Sequence, residues 1–482
     1  MFCYCSILSF LKFNFITNKV LNMTGMFSNC FHLTSLDLSS FDTANAIDMS
    51  YMFCMTNIRD KRDILIYDFY DIYLSYIKHH NKYLNQGYME YDEYMEQINN
   101  ELSLLAYLNI KNFNTSKVTK IEFMFYGCRS LLSLEIANFD FSNVISSESM
   151  FDSCSSLIYL NIDNLRPSNS TNMKYMFYGS KSLISLNLNN FNASNTEYMF
   201  YGCNSLTSLN LNSFDVSNVI YMQNMFEGCF SLISLDLSSF ISSKVINMTN
   251  MFKDCNSLIS LNLKNFITPD VILMTDMFKG CYSLLSLNIK NLNTKKVKRM
   301  DSLFNGCNSL ISLDLNNFDT SNVIYLNNTF RGCSSLVSLD LSAFNTSSVV
   351  NMESMFSNCL SLKTLKIGFN TSNVENMKEM FNDCSSLVLL NISNFDTSKV
   401  TDMEMMFMGC SSLLSLDISS FNVSNVKIIS KLFYDCKNLE FLNISTFNNF
   451  QSYELMFAQI PENIVYCING NDSNIYNSRI LK

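Results

Sequence analysis

Cysteine and histidine are the side chains best suited to chemistry in this sequence, and their spacing decides which chemistry is open to them. The 482 residues hold 17 cysteines and 3 histidines. A thiolate acts as nucleophile, metal ligand or disulfide partner, and each use needs particular neighbours. No C-x-x-C pair occurs, and Cys3 and Cys5 stand too close for a usual zinc knuckle and lack a partner pair. His32 follows a cysteine at a normally polar position, which points to the surface. His79 and His80 are adjacent and cannot face one way on a helix. P-loop and G-x-S-x-G strings are missing. The expectation is no enzyme, no cofactor and no metal site.

What the cysteines do have is a period. Cys128, Cys154, Ser180, Cys203, Cys229, Cys255, Cys281, Cys307, Cys333, Cys359, Cys384, Cys410 and Cys436 recur every 26 residues, apart from one step of 23 at Cys203 and one of 25 at Cys384. Cys30 and Cys54 are read into the same slot, which Leu102 also fills. The copied unit is L-x-x-L-x-L-x-x-F-[DN]-T-S-x-V-x-x-M-x-x-M-F-x-x-C. Scarce Gly (12) and Pro (3) and absent Trp fit one short pattern copied many times.

Each unit has two halves. Leu261 and Leu263 alternate with period two and point the same way from a strand, while Ser260, Asn262 and Lys264 face out. In the other half Val219, Met222, Met225, Phe226 and Cys229 occupy one sector of a helix or 3₁₀ coil, and Asp215-Val216-Ser217-Asn218 supplies turn and N-cap chemistry. Neither half buries its apolar side alone, so the coils must stack. The fold class expected is an α/β leucine-rich-repeat solenoid with one parallel strand and one short helix or 3₁₀ turn per repeat. It should be elongated and curved, at about 5 Å per coil.

The strings SLISLDLNNFDTSNVIYLNNTF (309–330) and SLVLLNISNFDTSKVTDMEMMF (386–407) closely resemble the BspA-like leucine-rich-repeat surface proteins. The resemblance covers about residues 5–55 and 105–460. It implies a secreted or surface-anchored protein engaged in adhesion and host contact, with no catalytic residues to transfer. Residues 1–15 lack a basic n-region and a small-residue cleavage site, so no export signal is read there. Either the chain is a fragment of a longer product or the protein stays inside the cell.

Five segments follow. Residues 1–55 open inside a repeat; 56–104 form a Tyr-rich insertion read as two amphipathic helices, either a tolerated insertion, a stretch mistakenly included in the coding sequence, or a protruding binding element; 105–446 are the main array; 447–468 a C-terminal cap; 469–482 a loose polar tail. The repeat cysteines read as reduced buried thiols, with a disulfide or metal ladder as the alternative.

Net charge is −9 without a basic patch, so no nucleic acid is expected, and no stretch is long enough for membrane insertion. The outward strand residues, among them Asp236, Asp314 and Asp340 with a serine ladder beside them, read as a self-hydrogen-bonded polar face or as a groove for a glycan or extended protein. Tyr159, Leu389 and Phe441 break the serine ladder and are the candidate anchors. Two functions stay open: a non-catalytic recognition or adhesion protein, and an intracellular leucine-rich-repeat scaffold for protein partners.

Overall fold

A repeat this regular solves the burial problem one coil at a time, and each position of the consensus becomes a ladder. The computed structural model describes residues 2, 3, 5, 10, 11, 16–55, 103–162, 171–447 and 455–467. Their coils stack into a parallel β-solenoid. Short strands pair in register: Ser234–Asp236 with Ser260–Asn262, Ser338–Leu341 with Thr364–Ile367, and Phe441–Asn443 with Val465–Cys467. Strand leucines such as Leu235, Leu261 and Leu339 face inward and are buried.

The core is an aromatic stack. Phe27, Phe53, Phe125, Phe151 and their equivalents up to Phe457 lie ring on ring, with centroids 5.3–5.9 Å apart in nearly parallel planes. Such spacing falls in the favourable offset-stacked range. Beside it runs the cysteine ladder. Cys255 Sγ donates to the Phe226 carbonyl at 3.2 Å, and that oxygen also accepts the Cys229 amide at 3.2 Å. The slot therefore needs a small buried donor. Ser180 satisfies the same requirement, with Oγ 2.8 Å from the Phe151 carbonyl. The repeat cysteines of the described array are free buried thiols. Cys54 is the exception to the spacing read from sequence. It directly follows Phe53, and its carbonyl accepts Asn29 N (2.8 Å) as that of Asp152 accepts Gly127 N (2.8 Å). It therefore sits two residues before the thiol slot.

The F-[DN]-T-S stretch is also a ladder. Thr371 Oγ1 donates to the Asp396 carbonyl of the next coil (2.8 Å) and accepts the Asp396 amide (2.7 Å). The Asp396 carboxylate accepts Ser398 N two residues on, an Asx turn. Asp215 does the same for Ser217 N at 2.8 Å, so its role is a turn and not a helix N-cap.

The helical half of the expectation is corrected. The described residues contain no helix. Met222, Asn224, Phe226 and Gly228 send alternate amides to the carbonyls of Asn247, Thr249, Met251 and Lys253 in the next coil, at 2.9–3.0 Å. The amides between them, Met225, Glu227 and Cys229, close turns onto the third residue back. Asn224 (φ 60) and Gly228 (φ 75) are left-handed, which breaks any helix at every coil. Val219, Met222, Met225, Phe226 and Cys229 do face inward, fully buried. Tight four-residue turns place side chains at the same i, i+3, i+4, i+7 spacing as a helix, so the periodicity was read as the wrong geometry.

The coil holding Ser35–Asp37 pairs in register with Tyr107–Asn109, Ser35 opposite Tyr107. The Phe53 and Phe125 rings stack at 5.5 Å. The array therefore closes across the chain between them; the helices expected in 56–104 and the tail 469–482 lie outside the described residues, save 103 and 104. At the far end Phe457 stacks on Phe433, and the Tyr466 ring meets Phe457 edge-on at 6.0 Å.

Candidate functional site

The strand face is built from three parallel ladders. The Asp/Asn ladder is occupied with holding the coils together. Asp236 Oδ1 accepts Ser238 N (2.8 Å) and Asn262 Nδ2 from the next coil (3.0 Å). Asp314 accepts Asn316 N (3.2 Å) and pairs with Lys290 (3.2 Å). Asp340 accepts Ser342 N (3.1 Å) and Ser342 Oγ (2.6 Å), with Lys366 Nζ at 3.3 Å. Hydrogen bonds from Ser238, Asn316 and Ser342 are the main cause that holds the three carboxyls below the usual range. These carboxylates stand on different coils, spread along the face rather than gathered into one cluster.

The serine ladder differs. Ser234, Ser260, Ser286, Ser312 and Ser338 are exposed, and their hydroxyls have no hydrogen-bond partner among the described residues. In the same slot Tyr159 (56 % exposed) and Leu389 (66 %) stand out on separate coils, while Phe441 is half-buried beside Ser415. Tyr107 belongs with them and was not singled out from sequence.

One residue ahead of the serine lies a third ladder, missed by the sequence reading. Leu132, Ile158 and Ile184 come first. After Thr207 follow Ile233, Ile259, Leu285, Ile311 and Val337, and after Lys363 come Val388 and Leu414. Each apolar member is 38–56 % exposed. Backbone bonds carry the slot from coil to coil, as from Ile259 N to the Ile233 carbonyl (2.8 Å) and from Lys363 N to that of Val337 (2.9 Å). Contiguous exposed apolar surface on this scale marks interaction sites. Among the described residues no group of three or more His, Cys, Asp or Glu side chains is placed to hold a metal, and no helix is long and apolar enough to cross a membrane. His32 is exposed.

A family model described as "Mycoplasma protein of unknown function, DUF285" matches residues 1–70, 93–205, 187–287, 274–387 and 361–464. The chain belongs to the DUF285 family. No curated protein matches it. Solved structures similar to it include a leucine-rich repeat protein from Bacteroides ovatus, 19 % identical over 73 % of this chain and 87 % of that one, TM-score 0.38. A leucine rich cell surface protein from Faecalibacterium prausnitzii is 17 % identical over 75 % and 79 %, TM-score 0.33. An internalin from Listeria monocytogenes is 15 % identical over 71 % and 88 %, TM-score 0.24.

In this DUF285 chain the signal for the missed ladder was present in the letters. The first x of L-x-x-L is Ile, Leu or Val in most coils, as in Leu258-Ile259-Ser260-Leu261. Strict alternation from Leu258 would have put Ile259 outside and Ser260 inside. The turn preceding each strand leaves both outside, which only the folded structure reveals.

Proposed function

We propose that this chain is a non-catalytic recognition or adhesion protein, of the BspA-like kind, that presents its strand face to a protein or glycan partner at the cell surface. The observation that carries this reading is the pairing of a half-exposed apolar ladder with a ladder of unpartnered serine hydroxyls over most of the array. A monomeric soluble protein rarely leaves so long an apolar stripe uncovered, and hydroxyls beside it offer both donors and acceptors. The residues whose chemistry attracts attention are otherwise engaged: the thiols donate into the core, and the carboxylates hold turns. Tyr159 and Leu389 supply larger contact area at two points of the face.

The test compares the full chain with a variant lacking residues 56–101 and with a double variant, Ile259→Ser with Ile311→Ser. Binding to immobilised host-surface glycoprotein or matrix material is measured for each. Retained binding by the deletion variant and loss by the double variant are expected. Binding that vanishes only with residues 56–101 would move the site off the strand face, and partners recovered only from cytosolic extract would favour a scaffold.

A further inference from the structure

The apolar ladder has a symmetry of its own. Counted in coils from Leu285, the neighbours on either side are Ile259 and Ile311, then Ile233 and Val337. The third coil on each side carries the polar interruptions, Thr207 and Lys363. Apolar residues resume at the fourth, Ile184 and Val388, and the fifth, Ile158 and Leu414. From Ile158 to Leu414 the order of apolar and polar positions is therefore palindromic about the Leu285 coil; one coil farther out the match ends, where Leu132 falls opposite Glu440. A two-fold axis lying along that strand would reverse the coil order while keeping each ladder over its own kind. From this we propose that the partner of the strand face is a second copy of this chain, docked antiparallel with Leu285 on the axis. The proposal rests on the recognition reading above and names its ligand.

Three further observations fit one copy to the other. Tyr159 falls opposite Ser415 and Leu389 opposite Ser185, so these two bulky residues of the serine slot each meet a small one, while Tyr107 at the end of the face falls opposite Val465. Serine hydroxyls face serine hydroxyls elsewhere, and a hydroxyl both donates and accepts. The face is also open where the axis lies. The amides of Leu285, Ile311 and Val337 reach the carbonyls one coil back at 3.4, 3.5 and 3.4 Å, whereas on the return side of the same coils Gly280 and Gly306 keep 2.8 and 2.7 Å. The strand-side bonds at the centre of the face are thus longer than the glycine bonds of the same coils. The half-exposed apolar side chains offer on the order of 500 Å². With the serine and Asx ladders beside them, each copy can bury the roughly 800 Å² of a standard interface.

Two pairings oppose the fit: Asp236 falls opposite Asp340, and Lys290, on the axis coil, falls opposite its own copy; like charges directly opposite repel. Lys366 partly offsets the charge of Asp340, Asn262 donates a hydrogen bond to Asp236, and the Asp236–Asp340 clash supplies a test of register.

The experiment is sedimentation velocity on the full chain over a concentration series reaching about 0.1 mM. A concentration-dependent dimer is expected. Ile259→Lys with Ile311→Lys should weaken association by about a hundredfold or more, while Ile272→Lys, on the return side, should leave it unchanged. Asp236→Asn should tighten it several-fold. Register is read with a short bismaleimide in a Cys3→Ser, Cys5→Ser, Cys467→Ser background, because Cys467 is exposed and Cys3 and Cys5 are only partly buried. Leu285→Cys should cross-link to its own copy. Ile184→Cys should not, but should link to Val388→Cys in a mixed sample. The Ile259, Ile311, Ile272, Leu285, Ile184 and Val388 variants should keep the parent thermal midpoint at concentrations where the parent is monomeric, since these exposed side chains take no part in the core. A strict monomer overturns the proposal; if it still binds host glycoprotein, the recognition reading survives and the stripe serves a foreign partner. A dimer indifferent to the Ile259/Ile311 pair, or without the Leu285 cross-link, overturns it too.

Discussion

At the scale of single residues the thiols show how burial sets chemistry. Burial pushes Cys229, Cys281, Cys359 and Cys436 up from the ordinary 9.0 to about 12, and Cys255 and Cys307 well above it. A thiolate is therefore not available inside the solenoid at neutral pH, and an alkylating probe should label Cys467 long before the ladder. The same shift fixes the sign of an alkaline effect. The unfolded chain loses these protons near 9, while the native chain retains them up to about 12. Stability is thus full below pH 9 and falls as pH rises toward 12, by about 1.4 kcal/mol per unit for each fully buried thiol. Urea midpoints measured between neutral pH and about 10.5 should decline; a flat profile would refute the buried-thiol account. Chemistry at the slot is equally specific. Cys255→Ser should be tolerated as Ser180 is, whereas Cys255→Ala leaves the Phe226 carbonyl short of one donor and should cost about 1 kcal/mol more in chemical denaturation.

At the scale of the coil, position within the turn decides the cost of a change. Gly127 and Gly228 both have positive φ, at 70 and 75°. A Cβ on Gly228 would lie 3.5 Å from Gly202, but one on Gly127 would collide with the Met55 carbonyl oxygen. Gly228→Ala should therefore lose about 1 kcal/mol, the ordinary left-handed penalty, and Gly127→Ala measurably more. Equal losses in thermal unfolding would mean that the Met55 carbonyl moves aside. In the strand, Leu261 is buried and Asn262 is exposed, with Asn262 Nδ2 on Asp236 and its Oδ1 accepting Lys264 N. Leu261→Asp should cost several kcal/mol by burying an unpaired charge, and Asn262→Ala about 0.5–1 kcal/mol. Similar midpoints for the two variants would reverse the assignment of faces.

At the scale of the whole molecule, stability is a sum over neighbouring coils rather than the property of one centre. The coils before and after residues 56–101 already stack directly through Ser35–Asp37 and Tyr107–Asn109 and through the Phe53–Phe125 pair. Removing that segment should leave the thermal midpoint within a few degrees of the parent and the scattering profile elongated. A large loss of stability would show that the segment braces the array. Removing an internal coil should be tolerated in the same way, provided the ring stack and the thiol-to-carbonyl bond are rejoined in register.

The sequence by itself determined the repeat, its length, the inward leucines, methionines, phenylalanines and cysteines, and the parallel stacking. Each of these follows from which residue types recur at which spacing, and burial enforces that pattern in every copy. It did not determine the path of the backbone between Val219 and Cys229, because a left-handed turn every four residues and a helix place side chains at the same intervals. Nor did it reveal that Ile259 and Ser260 face out together. That depends on where the turn hands over to the strand. The occupation of Asp236, Asp314 and Asp340 by amides two residues on and by the next coil is likewise a matter of proximity between residues 26 apart. Only stacking brings those residues within a hydrogen bond, and so only the tertiary structure separated the polar ladder that holds the solenoid together from the apolar one left half-exposed.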